Sequence, residues 1–159
     1  MRYRSGMGYD SHRFGAPRPL VLGGVAIPYT SGLIAHSDGD AVAHALIDAL
    51  LGAAALGDIG RLFPDTDPRF KDANSLKLLA EVRERLEQAG FHAVNVDVTV
   101  VLEAPRLAPH LDQIRTNLAA TLDLPLSAVS VKAKTNEGLD AVGEGRGLQV
   151  FAAATVGSD

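Results

Sequence analysis

Apolar residues recur at helical spacing through residues 40–56, where Val42, Leu46, Ala49, Leu50 and Ala53 fall on one stripe. The pattern predicts a first helix, with Asp38 or Asp40 as its cap and Gly57 where a helix C-terminal glycine belongs. A second helix starts at Asn74 or Ser75 and closes at Gly90, with Leu76, Leu79, Val82 and Leu86 inward. Its outer face carries Lys77, Glu81, Arg83, Glu84, Arg85 and Glu87, a solvated charge run. Residues 109–122 form a third. The period shortens to two over residues 94–102, the clearest strand in the chain, and residues 2–10, 129–134 and 148–156 read as further strands. Leu20-Val21-Leu22 and Val25-Ala26-Ile27 flank Gly23-Gly24, a two-residue hairpin signal that Pro28 ends. Residues 58–72 and 137–147 are loops, the first long enough to suggest function.

The order β, hairpin, α, α, β, α, β, β predicts an α/β fold of the α+β sandwich kind. It has one mixed sheet with helices on one face, in a single domain over residues 1–159. The helix between residues 94–102 and 129–134 implies a right-handed βαβ crossover. The small residues Ala152-Ala153-Ala154 suggest a sheet face that packs on a neighbouring subunit.

Composition narrows the class. A domain of 159 residues buries about 70% of its unfolded surface, enough for a real core. Net charge is -4, so no broad basic face can be assumed and nucleic acid is not an expected partner. The chain has no cysteine, which removes disulfides, thiolate metal sites and thiol nucleophiles. Neither a signal-peptide stretch nor a membrane span is visible, and the expected compartment is the cytoplasm.

Three of the five histidines lie in two short Asp-bearing segments. Asp10 and His12 are two apart and share a face in extended backbone, while His36 and His44 bracket the start of the first helix. Two imidazoles and a carboxylate with a fourth position open is a common catalytic zinc site. His44, on the rigid helix, is a better third ligand than His36 in the loop before it. Asp48, four residues on, is placed to accept a hydrogen bond from His44. His92 and His110 are expected to face solvent.

The segment His36-Ser37-Asp38-Gly39-Asp40 opens a helix and offers backbone N–H groups to an anion, although plain capping would use the same residue types. At the other end, Lys132 to Gly138 ends a strand with donors and one carboxylate, Glu137, suited to a magnesium ion that also holds phosphates, or to a solvated loop. No P-loop, dinucleotide fingerprint or nucleophile elbow is present.

Together, several segments make the chain resemble the 2-C-methyl-D-erythritol 2,4-cyclodiphosphate synthase family over essentially its whole length. They are Gly8-x-Asp10-x-His12-x-Phe14, Gly23-Gly24-Val25-x-Ile27-Pro28, HSDGDAVAHALIDALLGAAALGDIG over residues 36–60, and Leu62-Phe63-Pro64-Asp65-Thr66-Asp67. Asn95-Val96-Asp97-Val98-Thr99, Ala104-Pro105-Arg106 and Val131-Lys132-Ala133 complete the set.

The resemblance implies a homotrimer packed through the sheets, with active sites between subunits. It implies zinc on Asp10, His12 and His44, with Asp10 and His12 also beside the substrate, and magnesium on Glu137. The implied substrate is the small cytidine diphosphate ester 4-diphosphocytidyl-2-C-methyl-D-erythritol 2-phosphate. Its 2-phosphate attacks the β-phosphorus, closing a cyclodiphosphate and expelling CMP in non-mevalonate isoprenoid biosynthesis.

His36 and Thr135 fall where the family stabilises the transition state, and Ser37 where it holds phosphate. Asp58, Ile59, Gly60, Phe63 and Asp65 match its methylerythritol pocket. Leu102, Ala104, Pro105, Arg106, Leu107, Ala108 and Ala133 match its cytosine cradle, and Lys134, Asn136 and Glu137 flank Thr135 on the substrate side.

The chain departs from the family near its C-terminus. Glu144 precedes Arg146 in a glycine-rich stretch where the family commonly has the reverse order, and Ala141 stands where an aromatic residue is frequent. In the family that region lines a trimer-axis cavity proposed to take isoprenoid diphosphates. Two other readings of the residues compete with the cyclase: a metal-dependent phosphohydrolase, and a non-catalytic trimer that binds isoprenoid diphosphates.

Overall fold

The computed structural model describes residues 1–159. In chain order the elements are β1 (Arg2–Ala16), β2 (Leu20–Leu22), β3 (Val25–Ile27), β4 (Gly32–Leu33), α1 (Ala41–Ala54), α2 (Ile59–Leu62) and α3 (Ser75–Gln88). They continue with β5 (His92–Val101), α4 (Leu111–Leu122), β6 (Val129–Lys134), the single turn α5 (Asp140–Gly143) and β7 (Gly147–Ser158). Five strands form one sheet in the order β4-β1-β7-β5-β6, and β2 and β3 pair separately as the expected hairpin. Neighbouring strands run antiparallel except β5 and β6, which are parallel with α4 as their crossover, as the spacing predicted. No helix is long and apolar enough to cross a membrane.

Helices α1, α3 and α4 all lie on one side of the sheet, and α1 is pressed against its centre, β1 and β7. The glycines of β1, which look out of place in a strand, make that contact. A β-carbon on Gly6 would overlap the Ala49 carbonyl oxygen, and one on Gly8 would overlap that of Ala45. Their register partners on β7 are Ala154 and Ala152, both buried, so small side chains on two strands let the helix backbone sit directly on the sheet. The alanine stripe therefore packs inward, against the expectation of an outward face, and only Ala153 turns away from α1. The other sheet face is uncovered within the chain. It carries Met7, Tyr9 and Phe151 among its exposed side chains, with the Tyr9 and Phe151 rings 5.2 Å apart.

Asp40 caps α1 and does more than cap it. Its carboxylate, fully buried, accepts the Ala43 N–H at 3.1 Å and the N–H groups of Gly23 and Gly24 at 2.8 and 2.7 Å, tying the hairpin turn to the helix start. The other end of α1 differs from expectation. Ala55, at φ 59, takes the left-handed position expected of Gly57, and the helix stops two residues sooner. In α3, Leu78 joins Leu79, Val82 and Leu86 in the core, while Leu76 is only partly buried and packs against Gly24. His92 is exposed, but His110 is half-buried, in a turn that leads into α4.

Candidate active site

The rungs that seat α1 on β1 continue to the candidate metal ligands. Four residues of helix advance about 6 Å and two residues of strand nearly the same, so Ala49 lies over Gly6 and Ala45 over Gly8. The next positions on that face of β1 are Asp10 and His12, and His44 directly precedes Ala45 on α1. Residues 34 apart in sequence are thereby brought into contact. His12 Nδ1 lies 2.9 Å and His44 Nδ1 3.2 Å from the same Asp10 oxygen, Oδ2. One ligand atom from each of the three residues falls within a 4.8 Å cluster, the constellation expected from the sequence.

The donor set fits a divalent transition metal. His12 Nδ1 is buried and, despite its short approach to Asp10, lacks hydrogen-bond geometry with any partner. A buried imidazole nitrogen left unpaired is costly unless it serves as a ligand. Two imidazoles with one carboxylate is an intermediate-softness set that suits zinc and its neighbours. Charge is arranged to match. Burial alone would raise the Asp10 pKa, but the His12 and His44 imidazoles outweigh it and hold the carboxyl below 3.8. Burial alone would lower the His44 pKa, but Asp10 beside it, with Asp40 and Asp38 farther off, holds it above 6.5.

Asp48 does not orient His44. Its carboxylate accepts the Ile59 N–H at 2.7 Å, so it anchors α2, the turn that follows α1. His44 Nε2 meets two hydroxyls instead, Ser75 Oγ at 2.9 Å and Ser37 Oγ at 3.0 Å. The anion site expected at the start of α1 is also altered. The protein's own carboxylate, Asp40, has taken the Ala43 N–H there. Ser37 and His36 remain on the cavity wall beside that helix start.

Beside the cluster is a cavity of about 420 Å3 lined by His12, Ala35, His36, Ser37, His44, Ile59, Gly60, Phe63, Asp65, Phe70 and Leu78. It gathers eight of the residues expected from sequence, and Ala35, Phe70 and Leu78 were not among the expectations. Asp58 caps α2 by accepting the Arg61 N–H at 2.9 Å and stays exposed. His36 is held by its neighbours. Its Nε2 donates to the Asp67 carbonyl at 3.3 Å, and its own carbonyl accepts the Asp72 N–H at 2.9 Å. Arg18, unnoticed in the sequence, donates to the carbonyls of Ala35 and Ser37, clamping the loop on both sides of His36.

A second cavity, of about 220 Å3, is lined by Leu102, Glu103, Pro105, Arg106, Leu107, Ala108, Leu111, Ala133, Lys134 and Thr135. Ala104 lies within the same turn and is exposed. Asn136 N–H donates to Glu103 Oε1 at 2.7 Å, and Thr135 Oγ1 lies 3.3 Å from Glu137 Oε1. Glu137 is exposed, at φ 51, and is no part of the Asp10 cluster. The two cavities share no lining residue, so one chain does not unite His36 with Thr135 and Glu137.

Comparison with known proteins bears on both halves. Residues 3–157 match the YgbB family. Relatives in Burkholderia mallei and Burkholderia pseudomallei named 2-C-methyl-D-erythritol 2,4-cyclodiphosphate synthase are 58% identical over 156 residues, 98% of this chain and 96% of theirs. A solved 2C-methyl-D-erythritol-2,4-cyclodiphosphate synthase in a CDP-bound form superposes with a TM-score of 0.89 at 42% identity, covering 97% of this chain and all of the other. The bifunctional IspDF of Campylobacter jejuni superposes with a TM-score of 0.96 at 44% identity. That match covers 99% of this chain, which spans only 43% of the bifunctional protein.

Proposed function

The chain belongs to the YgbB family of 2-C-methyl-D-erythritol 2,4-cyclodiphosphate synthases, and from that premise we propose how its residues perform the cyclisation. The substrate is 4-diphosphocytidyl-2-C-methyl-D-erythritol 2-phosphate. An oxygen of its 2-phosphate forms a bond to the β-phosphorus as the bond from that phosphorus to the α–β bridging oxygen breaks. CMP leaves with that oxygen, and the enzyme acts as a phosphorus–oxygen lyase of the non-mevalonate isoprenoid pathway. The observation that carries the reading is the convergence of Asp10, His12 and His44 beside a cavity whose wall holds His36 and Ser37.

The attacking group is already part of the substrate, so the protein needs no nucleophile of its own. Its work is to fold a flexible diphosphate and meet the charge that develops. Zinc on Asp10, His12 and His44 and magnesium with Glu137 would each supply Lewis-acid charge to the diphosphate. His36 and Ser37 donate to phosphate oxygens from the first cavity. Asp58, the Ile59–Gly60 turn, Phe63 and Asp65 hold the methylerythritol end. Leu102, Ala104 to Ala108 and Ala133 receive the cytosine in the second cavity, with Lys134, Thr135, Asn136 and Glu137 on the phosphate side.

A homotrimer completes the site. Because His36 and Thr135 line separate cavities, the proposed assembly sets the second cavity of one subunit against the first of its neighbour. The uncovered sheet face bearing Met7, Tyr9 and Phe151 supports packing between sheets. The cytoplasm is the proposed compartment. The test is turnover in heavy-oxygen water: unlabelled cyclic product with CMP is expected. Label entering the phosphate product would mean water attacks and would replace the cyclase with a phosphohydrolase.

A further inference from the structure

Ser75 opens α3, is fully buried, and sits between two partners: Asp38 Oδ1 at 2.5 Å and His44 Nε2 at 2.9 Å. The Asp38 carboxylate is an acceptor, and it already takes the backbone N–H groups of Ser75 and Asp40. A serine hydroxyl has one proton, and that of Ser75 is committed to the short bond to Asp38. Ser75 Oγ therefore faces His44 Nε2 as an acceptor, and the proton between them belongs to the imidazole.

We propose that Asp38 and Ser75 are positioning residues that keep a proton on His44 Nε2, so that Nδ1, on the Asp10 side, is the nitrogen that gives up its proton and through which His44 takes the metal. The inference rests on His44 being a ligand, and it assigns work to two residues outside the cluster. The arrangement is a carboxylate–hydroxyl–imidazole chain, the usual carboxylate–histidine–metal relay extended by one hydroxyl.

A second consequence falls on Ser37. Its Oγ also lies beside Nε2 and accepts the Gly39 N–H at 3.4 Å. With the proton on Nε2, Ser37 need not donate to His44, and its hydroxyl proton is free for an anionic oxygen in the cavity it lines. The opposite tautomer would reverse both roles. Nε2 would claim the Ser37 proton, two lone pairs would face each other at Ser75, and Nδ1–H would be directed at the position where the metal is needed.

The test reads the nitrogen itself. Full-length protein with isotope-labelled histidine is loaded with the spin-half isotope of cadmium, and the one-bond metal–nitrogen coupling of His44 is recorded by NMR. The expected result is coupling through Nδ1, with a slowly exchanging proton on Nε2. Coupling through Nε2 would overturn the proposal while leaving His44 a ligand, and coupling to neither nitrogen would remove the metal assignment as well. Ser75→Ala keeps the backbone bond to Asp38 and is expected to weaken metal affinity about 10- to 100-fold with secondary structure retained, Ser75→Thr restoring it. Wild-type affinity in Ser75→Ala would also overturn the proposal. If that variant does not fold, the coupling measured in the unsubstituted protein decides.

Discussion

Gly8 of β1 lies so close beneath Ala45 of α1 that any β-carbon at Gly8 would overlap the Ala45 carbonyl oxygen. The neighbour is backbone, not a flexible side chain, so the helix must move to admit a methyl group. Gly8→Ala is expected to destabilise the fold by about 1–3 kcal/mol or more. It is also expected to lower metal content, because the same contact sets His44 against Asp10. Thermal denaturation and elemental analysis together check this. A stable, fully metallated Gly8→Ala would show that the approach is looser than the geometry says.

Arg18 holds the carbonyls of Ala35 and Ser37 on both sides of His36 and itself neither joins the Asp10, His12 and His44 cluster nor lines the cavity. Removing the clamp as Arg18→Met keeps much of the stem's packing and frees the loop. A misplacement of about 1 Å at a catalytic group can cost roughly 100-fold in rate. The expected outcome is a large fall in kcat with metal content unchanged. Parallel loss of the metal would place the effect in folding.

The paired shifts of Asp10 and His44 set a pH window. The His44 pKa is raised above 6.5, so in the metal-free protein its contribution to stability is complete below 6.5 and lost as pH rises through the folded value. That of Asp10 is depressed below 3.8, so its contribution is present above 3.8 and lost as pH falls through the folded value. The pair therefore stabilises the metal-free fold most between those limits. A metal needs the neutral imidazole, so its affinity falls as pH drops through the raised His44 value. Calorimetric titration in buffers of different ionisation enthalpy should find more than half a proton released per metal at pH 6.5. No release there would contradict the charge arrangement.

Much of the site is legible in the sequence because its signals are local. Asp10 and His12 share a strand face, His44 sits one turn into a helix whose cap is written in Asp38-Gly39-Asp40, and the loop after α1 carries its own turn residues. What escapes are contacts with no local period. Ser75 reaches His44 across 31 residues, and Arg18 reaches Ala35 and Ser37 across 17 and 19. Asp48 shows the converse. Its helical spacing from His44 was correct, but the backbone N–H of Ile59 competes for the carboxylate and wins. The glycines of β1 weaken the strand signal for the reason that they matter, since only a helix pressed onto the sheet explains them. The two-residue β4 is too short to leave a pattern.

In the proposed trimer the two cavities of one chain serve two different active sites, each shared with a neighbour. Co-expressing His36→Ala and Glu137→Gln chains with different tags and purifying trimers that carry both measures this directly. In a cyclic trimer with sites between subunits, every mixed assembly keeps one intact site of three. Turnover should therefore recover to about a third of wild type, while each variant alone stays inactive. Mixed trimers as inactive as their parents would contradict the shared site.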